Sequence, residues 1–426
     1  MCAKWVEDFS PAPLLDRLYA SARVDGEKVS FSDAFTFHDN MSILMEGVDF
    51  GKSIPSSERH RLAWSSLVSG AKGARTKPSD FVREVTRLEH EYINRPATAY
   101  YYLSTVSLRW RSEFKMPRFS ACSTQFYETL PAFFDRSPCE PVIRSTFRHR
   151  ELPKDYTYLR AAVSARGVHE AADKARDVIE FFRGAWNLFV NRRYGTRQFG
   201  GRPEPINRIL PGPFSTLHDR KGKSIDERIW YDPGYVEPRQ SYDFSDWAAY
   251  LRFQKWLLKH VDRHRYRQNI EEMLRTYSRA LDEVDYDVAI VRLWSLLEQL
   301  ANAGSNYDLI IRRVSFLFED FEFNRVILQH LRRYRNRAIH GYYSSERRNE
   351  AVHQLRRFVQ EALLFHIRNA GRAASVAEAC VFLDLPPDLK HLRRKRALVE
   401  RGIKFRQPAK PRRARPRAEP AVISVS

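Results

Sequence analysis

Arg335, Asn336 and His340 stand within six consecutive residues, Arg335-Asn336-Arg337-Ala338-Ile339-His340. Together they offer a cation, an amide and an acid/base. Such a set suits cleavage of RNA by its own 2'-hydroxyl. The imidazole moves protons, the guanidinium stabilises the extra negative charge of a phosphorane, and the amide holds the phosphate or orients the imidazole. On an ideal helix Arg335 and His340 would lie about 140° apart. Gly341 offers a left-handed stop directly after His340, so the imidazole sits at a helix end, where the chain can bend it toward the guanidinium. That end of the helix dipole also favours a protonated His. The same residues suit a structural role equally in kind: Arg335 paired with Glu298, Asn336 capping the helix end, His340 in a C-terminal cap.

The elements that must position this set are legible from periodicity. Ile327, Leu331, Tyr334 and Ala338 recur at helical spacing, which predicts a helix over Phe321 to Ile339 with Arg332, Arg333, Arg335 and Asn336 off its buried face. Before it, Val288, Val291, Leu293, Trp294, Leu297 and Leu300 predict a helix over Asp285 to Ala303. After it, a long helix is expected over Glu346 to Ala370.

In this setting the Arg335-Asn336-x-x-x-His340 stretch resembles the R-[polar]-x-x-x-H signature of HEPN domains, and Leu293-Trp294-Ser295-Leu296-Leu297-Glu298 resembles the helix preceding it in the Apea-like branch. The resemblance covers roughly Asp243 to Ala370. It implies a helical bundle that dimerises so that two motifs face one another across a cleft. It also implies a metal-independent endoribonuclease without cofactor, of the kind found in anti-phage defence, abortive infection and toxin systems. Under it His340 is the acid/base, Arg335 the phosphate stabiliser and Asn336 the polar second position. Glu298 is the acidic residue of the preceding helix, orienting Arg335 or binding across the interface. Arg332, Arg333 and Arg337 are expected on RNA phosphates. The alternative within the family is a non-catalytic nucleotide- or RNA-binding or dimerisation module that regulates a partner.

The rest of the chain predicts an α+β N-terminal domain over residues 1–240, an all-α bundle over 241–400 and a basic, Pro-rich, disordered tail over 401–426. Helices are expected over Ser56 to Arg75, Pro78 to Arg95 and Val168 to Arg193, and strands over Ala99 to Trp110 and Tyr156 to Arg166. A hairpin is expected between Ile206 and Tyr231. Further helices are expected over Ser245 to His264, Tyr266 to Leu281, Asn306 to Glu319, Ser375 to Leu383 and Pro386 to Val399. The Pro- and Gly-bearing stretch from Tyr231 to Pro238 marks the boundary. No cluster in the first half has a spacing that reads as chemistry, and a sensing or regulatory role there, with a trigger or regulator bound, rests on analogy alone.

The 426 residues carry a formal charge of +20, which attracts polyanions and above all nucleic acid, or simply gives a solvated basic surface. Cys2, Cys122, Cys139 and Cys380 form no CxxC pair, so neither a disulfide framework nor a zinc site is expected. No apolar run approaches the ~18 residues of a membrane span. A cytoplasmic protein without membrane partners is the expectation.

Several tempting motifs fail. Gly47-Val48-Asp49-Phe50-Gly51-Lys52-Ser53 is one residue short of a phosphate loop, and Gly222-Lys223-Ser224 lacks the upstream glycine. His260 and His264 have metal-ligand spacing, but Val261 stands where a zincin needs Glu. Neither a serine-hydrolase elbow nor a dinucleotide fingerprint occurs.

Overall fold

The computed structural model describes residues 3–32, 34–51, 54–73, 76–109, 111–112, 118–149, 152–193, 204–232, 235, 241–339 and 348–407. His340, Gly341 and residues 408–426 of the expected tail lie outside the described residues. An N-terminal α/β region with a sheet is followed by a helical region, as the sequence predicts.

The chain begins with β1 (Lys4–Trp5), α1 (Ala12–Ala20), β2 (Ala22–Asp25), β3 (Lys28–Phe31), α2 (Ala34–Gly47), β4 (Val48–Asp49), α3 (Ser56–Lys72) and α4 (Pro78–Asn94). Strands β1 and β4 pair, as do β2 and β3. Pro78 opens α4, where a missing N–H costs nothing, and Phe81, Val85, Glu89 and Tyr92 form its buried stripe. Buried Glu89 is satisfied by two backbone donors, Ala3 N at 3.0 Å and Gly51 N at 2.8 Å. The amide that a phosphate loop would turn to a ligand is therefore committed to a carboxylate.

A five-stranded antiparallel sheet follows, built from β5 (Thr98–Val106), β6 (Ser123–Tyr127), β7 (Thr157–Ala165), β8 (Phe214–His218) and β9 (Ser224–Tyr231), in the order β6-β7-β5-β8-β9. A short helix α5 (Glu140–Thr146) precedes β7, and α6 (Val168–Arg193) follows it. The β8–β9 hairpin closes on Asp219, whose Oδ1 accepts Lys221 N at 2.8 Å and Lys223 N at 2.9 Å. Gly222 occupies a positive φ of 79°, so the Gly-Lys-Ser segment is a turn.

The helical region comprises α7 (Trp247–Asp262), α8 (Arg267–Asp282), α9 (Tyr286–Leu300), α10 (Tyr307–Ser315), α11 (Phe321–Ile339), α12 (Arg348–Arg368), α13 (Val376–Leu383) and α14 (Leu389–Arg406). Asp246 and Asp285 cap α7 and α9 by accepting Ala249 N and Asp287 N. Helix α14 corrects one expectation: Arg401 to Arg406, read as the start of a disordered tail, complete this helix, and none of its residues is buried. No helix among the described residues is long and apolar enough to cross a membrane.

The core does not divide at residue 240. One apolar cluster holds Ala3 to Tyr92, and a second runs without a break from Tyr102 in the sheet to Ala379 in α13. Helix α6 is the reason. It lies between the sheet and α8, so Ala185, Trp186, Leu188 and Val190 are buried on successive faces, the pattern of a helix enclosed on more than one side. Contact with α8 is close enough that a Cβ on Gly184 would lie 2.4 Å from the Leu274 carbonyl oxygen. Gly184→Ala must push these two backbones apart and is expected to cost about 1–3 kcal/mol. Urea denaturation checks this, and an unchanged midpoint would contradict the packing described.

Within the bundle, fully buried His366 carries the proton on Nε2 that donates to the Leu300 carbonyl at 2.8 Å, while Nδ1 accepts from the Tyr266 hydroxyl at 2.9 Å. Burial holds its pKa down at about 4. His264, whose Nε2 donates to the His366 carbonyl at 2.7 Å, is lowered by burial as well. Because the unfolded chain titrates near 6.5, stability is full above that pH and falls as the unfolded state takes up protons that the folded state refuses. Between pH 7 and 5 the His366 contribution is a loss of about 2 kcal/mol. Denaturant titrations at the two pH values should show it, with a shallower dependence in His366→Gln. Equal slopes would rule the assignment out.

Candidate active site

Helix α11 turns Leu328, Leu331 and Tyr334 into the core, and the Tyr334 hydroxyl donates to Asp287 Oδ1 at 3.1 Å near the start of α9. This anchors the helix rotation and presents its last turns toward α10. Arg335 reaches Tyr307, the first residue of α10, donating from Nη1 to the hydroxyl at 3.1 Å with the guanidinium 5.5 Å from the ring centroid. The same Nη1 lies 3.3 Å from Asn336 Oδ1. Asn336 therefore serves as a neighbour to the guanidinium within the helix.

Glu298 and Arg335 are brought together loosely. Glu298 Oε1 stands 4.0 Å from Arg335 Nη2, at the limit of an ion pair and beyond a hydrogen bond, with side-chain exposures of 21% and 19%. Arg335 Nε is buried without a partner. Among the described residues the guanidinium thus makes two hydrogen bonds to neutral oxygens, keeps one buried donor unused and has no carboxylate in close contact. An anion would fill that vacancy in its bonding, since a buried donor left unsatisfied costs about 1–3 kcal/mol.

The other expected arginines differ in their surroundings. Arg332 donates to Asp308 Oδ1 at 3.0 Å and lies 4.7 Å from the Tyr307 ring centroid. Asp308 is 90% exposed, so water screens that pair heavily. Arg333 is exposed, and Arg337, also exposed, lies over the Tyr334 ring at 5.7 Å. His340 is outside the described residues, so its distance from Arg335 is no part of this geometry.

Tyr307 is the residue that sequence reasoning missed. It stands between Arg332 and Arg335 and lies 6.2 Å from the Trp294 ring. Its signal was slight: an aromatic directly after Asn306, which caps α10 by accepting Leu309 N at 3.1 Å.

Elsewhere, His260 and His264 spend ring N–H groups on separate carbonyls, those of Trp256 and His366. Among the described residues no group of three His, Cys, Asp or Glu is placed to hold a metal ion. Cys122, Cys139 and Cys380 are buried and unbridged. Compared with protein-family models, curated proteins and solved structures, the chain finds no match.

Proposed function

We propose that this chain is a metal-independent endoribonuclease of the HEPN type, with Arg335 and His340 at its centre. The observation that carries the proposal is the state of Arg335 among the described residues: a mostly buried guanidinium with an unused Nε donor and the Glu298 carboxylate 4.0 Å away. That arrangement suits a transient phosphorane better than a closed structural ion pair. The chain's charge of +20 supports an RNA substrate, as does α14, where eight of eighteen residues are Lys or Arg.

In the proposed reaction the RNA 2'-oxygen bonds to the adjacent phosphorus as its proton passes to an imidazole. The bond from phosphorus to the 5'-oxygen breaks, and that oxygen takes a proton from a second imidazole. One His340 cannot hold both proton positions at once. Two copies meeting as a homodimer would bring one from each, and this supports a paired site. Arg335 stabilises the phosphorane, with Tyr307 and Asn336 fixing its direction and Glu298 standing 4.0 Å behind it. The products are a 2',3'-cyclic phosphate and a 5'-hydroxyl. A defence or toxin role, with the N-terminal region answering a trigger, fits such an activity.

The competing reading is a binding or dimerisation module. It is favoured by the Tyr307 and Asn336 contacts, which also fit a guanidinium that only braces α10 against α11. Mapping cellular 5'-hydroxyl RNA ends after expression of wild type and His340→Ala separates the two. New ends in wild type alone support cleavage. Identical maps, with salt-dependent RNA binding intact in both proteins, support the module.

A further inference from the structure

A cleft of about 640 Å³ lies where the sheet meets α6, α8 and α9, within the size range of small-molecule sites, roughly 300–1,000 Å³. Part of its wall is preformed. Gly212 N donates to the Thr105 carbonyl at 2.7 Å, and a Cβ on Gly212 would lie 1.8 Å from Thr105 Oγ1, so the Pro211-Gly212-Pro213 loop is seated directly on β5. From β9, Trp230 lines the cleft, half-buried, its ring 5.9 Å from Tyr102 and inclined at 60°.

The lining holds four arginines and four acids, so its formal charges balance, but they pair unevenly. Arg183 is 1% exposed and spends its guanidinium on Glu180 and Asp282, at 2.6 and 2.7 Å. Those two acids are consumed with it. Glu283 is held by Arg292 at 2.6 Å. Two arginines of the lining are less engaged: Arg279, whose Nη2 makes a long ion pair of 3.8 Å with Asp177, and exposed Arg176, which makes no ion pair among the described residues. Exposed Asp232 also lines the cleft. A half-buried indole beside one unpaired arginine and one loosely paired arginine is a pairing for a planar base that carries phosphate.

We propose that this cleft binds a mononucleotide, with Arg176 and Arg279 on the phosphates and Trp230 against the base. The site stands apart from Arg335 and does not rest on the ribonuclease reading. Calorimetric titration of the full chain with ATP, GTP, AMP and inorganic pyrophosphate, in the absence of RNA, tests it. At least one nucleotide is expected to bind. Arg176→Glu, at an exposed position with no ion pair to lose, should weaken binding roughly tenfold or more. Trp230→Leu should weaken the nucleotide but not pyrophosphate. Absence of binding by all three nucleotides, or equal binding by Arg176→Glu, would overturn the proposal. Pyrophosphate binding as tightly as any nucleotide would do the same, since it would leave the indole without a role.

Discussion

Arg335→Ala is expected to lower the rate of RNA cleavage by about two to three orders of magnitude while the protein stays folded. The size follows from removing one preorganised donor at a developing anionic charge, which typically costs a factor of about 10²–10³. The separation from stability follows from what Arg335 touches. Its hydrogen bonds go to Tyr307 and Asn336, its Glu298 contact is 4.0 Å long, and its Nε has no partner to lose. Each bond, from a charged donor to a neutral oxygen, is worth about 1.5–3 kcal/mol, and removing the group also removes an unsatisfied donor. Arg335→Lys should recover little, because an ammonium offers a point charge where the planar fork donates along two directions. Single-turnover cleavage beside a thermal melt is the measurement. Loss of activity in step with loss of folding would make Arg335 a structural residue.

The second large effect is on stability. Arg183→Met should destabilise the chain by about 3–5 kcal/mol, the range found when one partner of a buried ion pair is removed. Arg183 reaches Glu180 on its own helix, Asp282 at the end of α8 and the Ile209 carbonyl in the loop before β8. Burial opposes its charge, but Asp282 and Glu180 outweigh that and hold the guanidinium protonated. Burial also raises the Asp282 carboxyl, even with Arg183 beside it. Without Arg183 that carboxyl rises further, and the penalty for keeping it ionised applies at every pH above its unfolded value near 3.9. The deficit of the variant should therefore be smallest near pH 4 and widen toward neutrality. Because α6 joins the sheet to the helices, probes in both regions should unfold together in wild type and shift together in the variant. A loss confined to one region, or a deficit that shrinks as pH rises, would contradict this description.

What the sequence reveals depends on how local the cause is. Helix α6 could be read over its observed span because Gly167 ends a strand and Ala171, Ala175, Val178, Ile179 and Phe182 follow at helical steps. Helices α8, α9 and α11 were legible from the same periodicity. The site was legible in part: Arg335, Asn336 and Glu298 do come near one another, but that Tyr307 would stand between two arginines depends on how α10 packs against α11, which spacing does not encode. The stretch near residue 240 falls within a shared core, because Pro and Gly mark a loop without saying if the cores on either side are shared. Burial of α6 on more than one face held that information. Helix α14 runs past the expected start of the tail because Lys and Arg are good helix formers, dense charge notwithstanding, and Pro408 gives a later stop. Strand β6 went unread because it follows Ser120 and Ala121, both at positive φ, a turn built by residues that carry no turn signature.

The most direct test of the central claim is incubation of purified wild-type chain with a defined RNA in excess chelator, followed by analysis of the cut ends. The expected products carry 2',3'-cyclic phosphate and 5'-hydroxyl termini, both lost in Arg335→Ala and in His340→Ala. Intact RNA, 3'-hydroxyl termini, or equal cutting by either variant would contradict it.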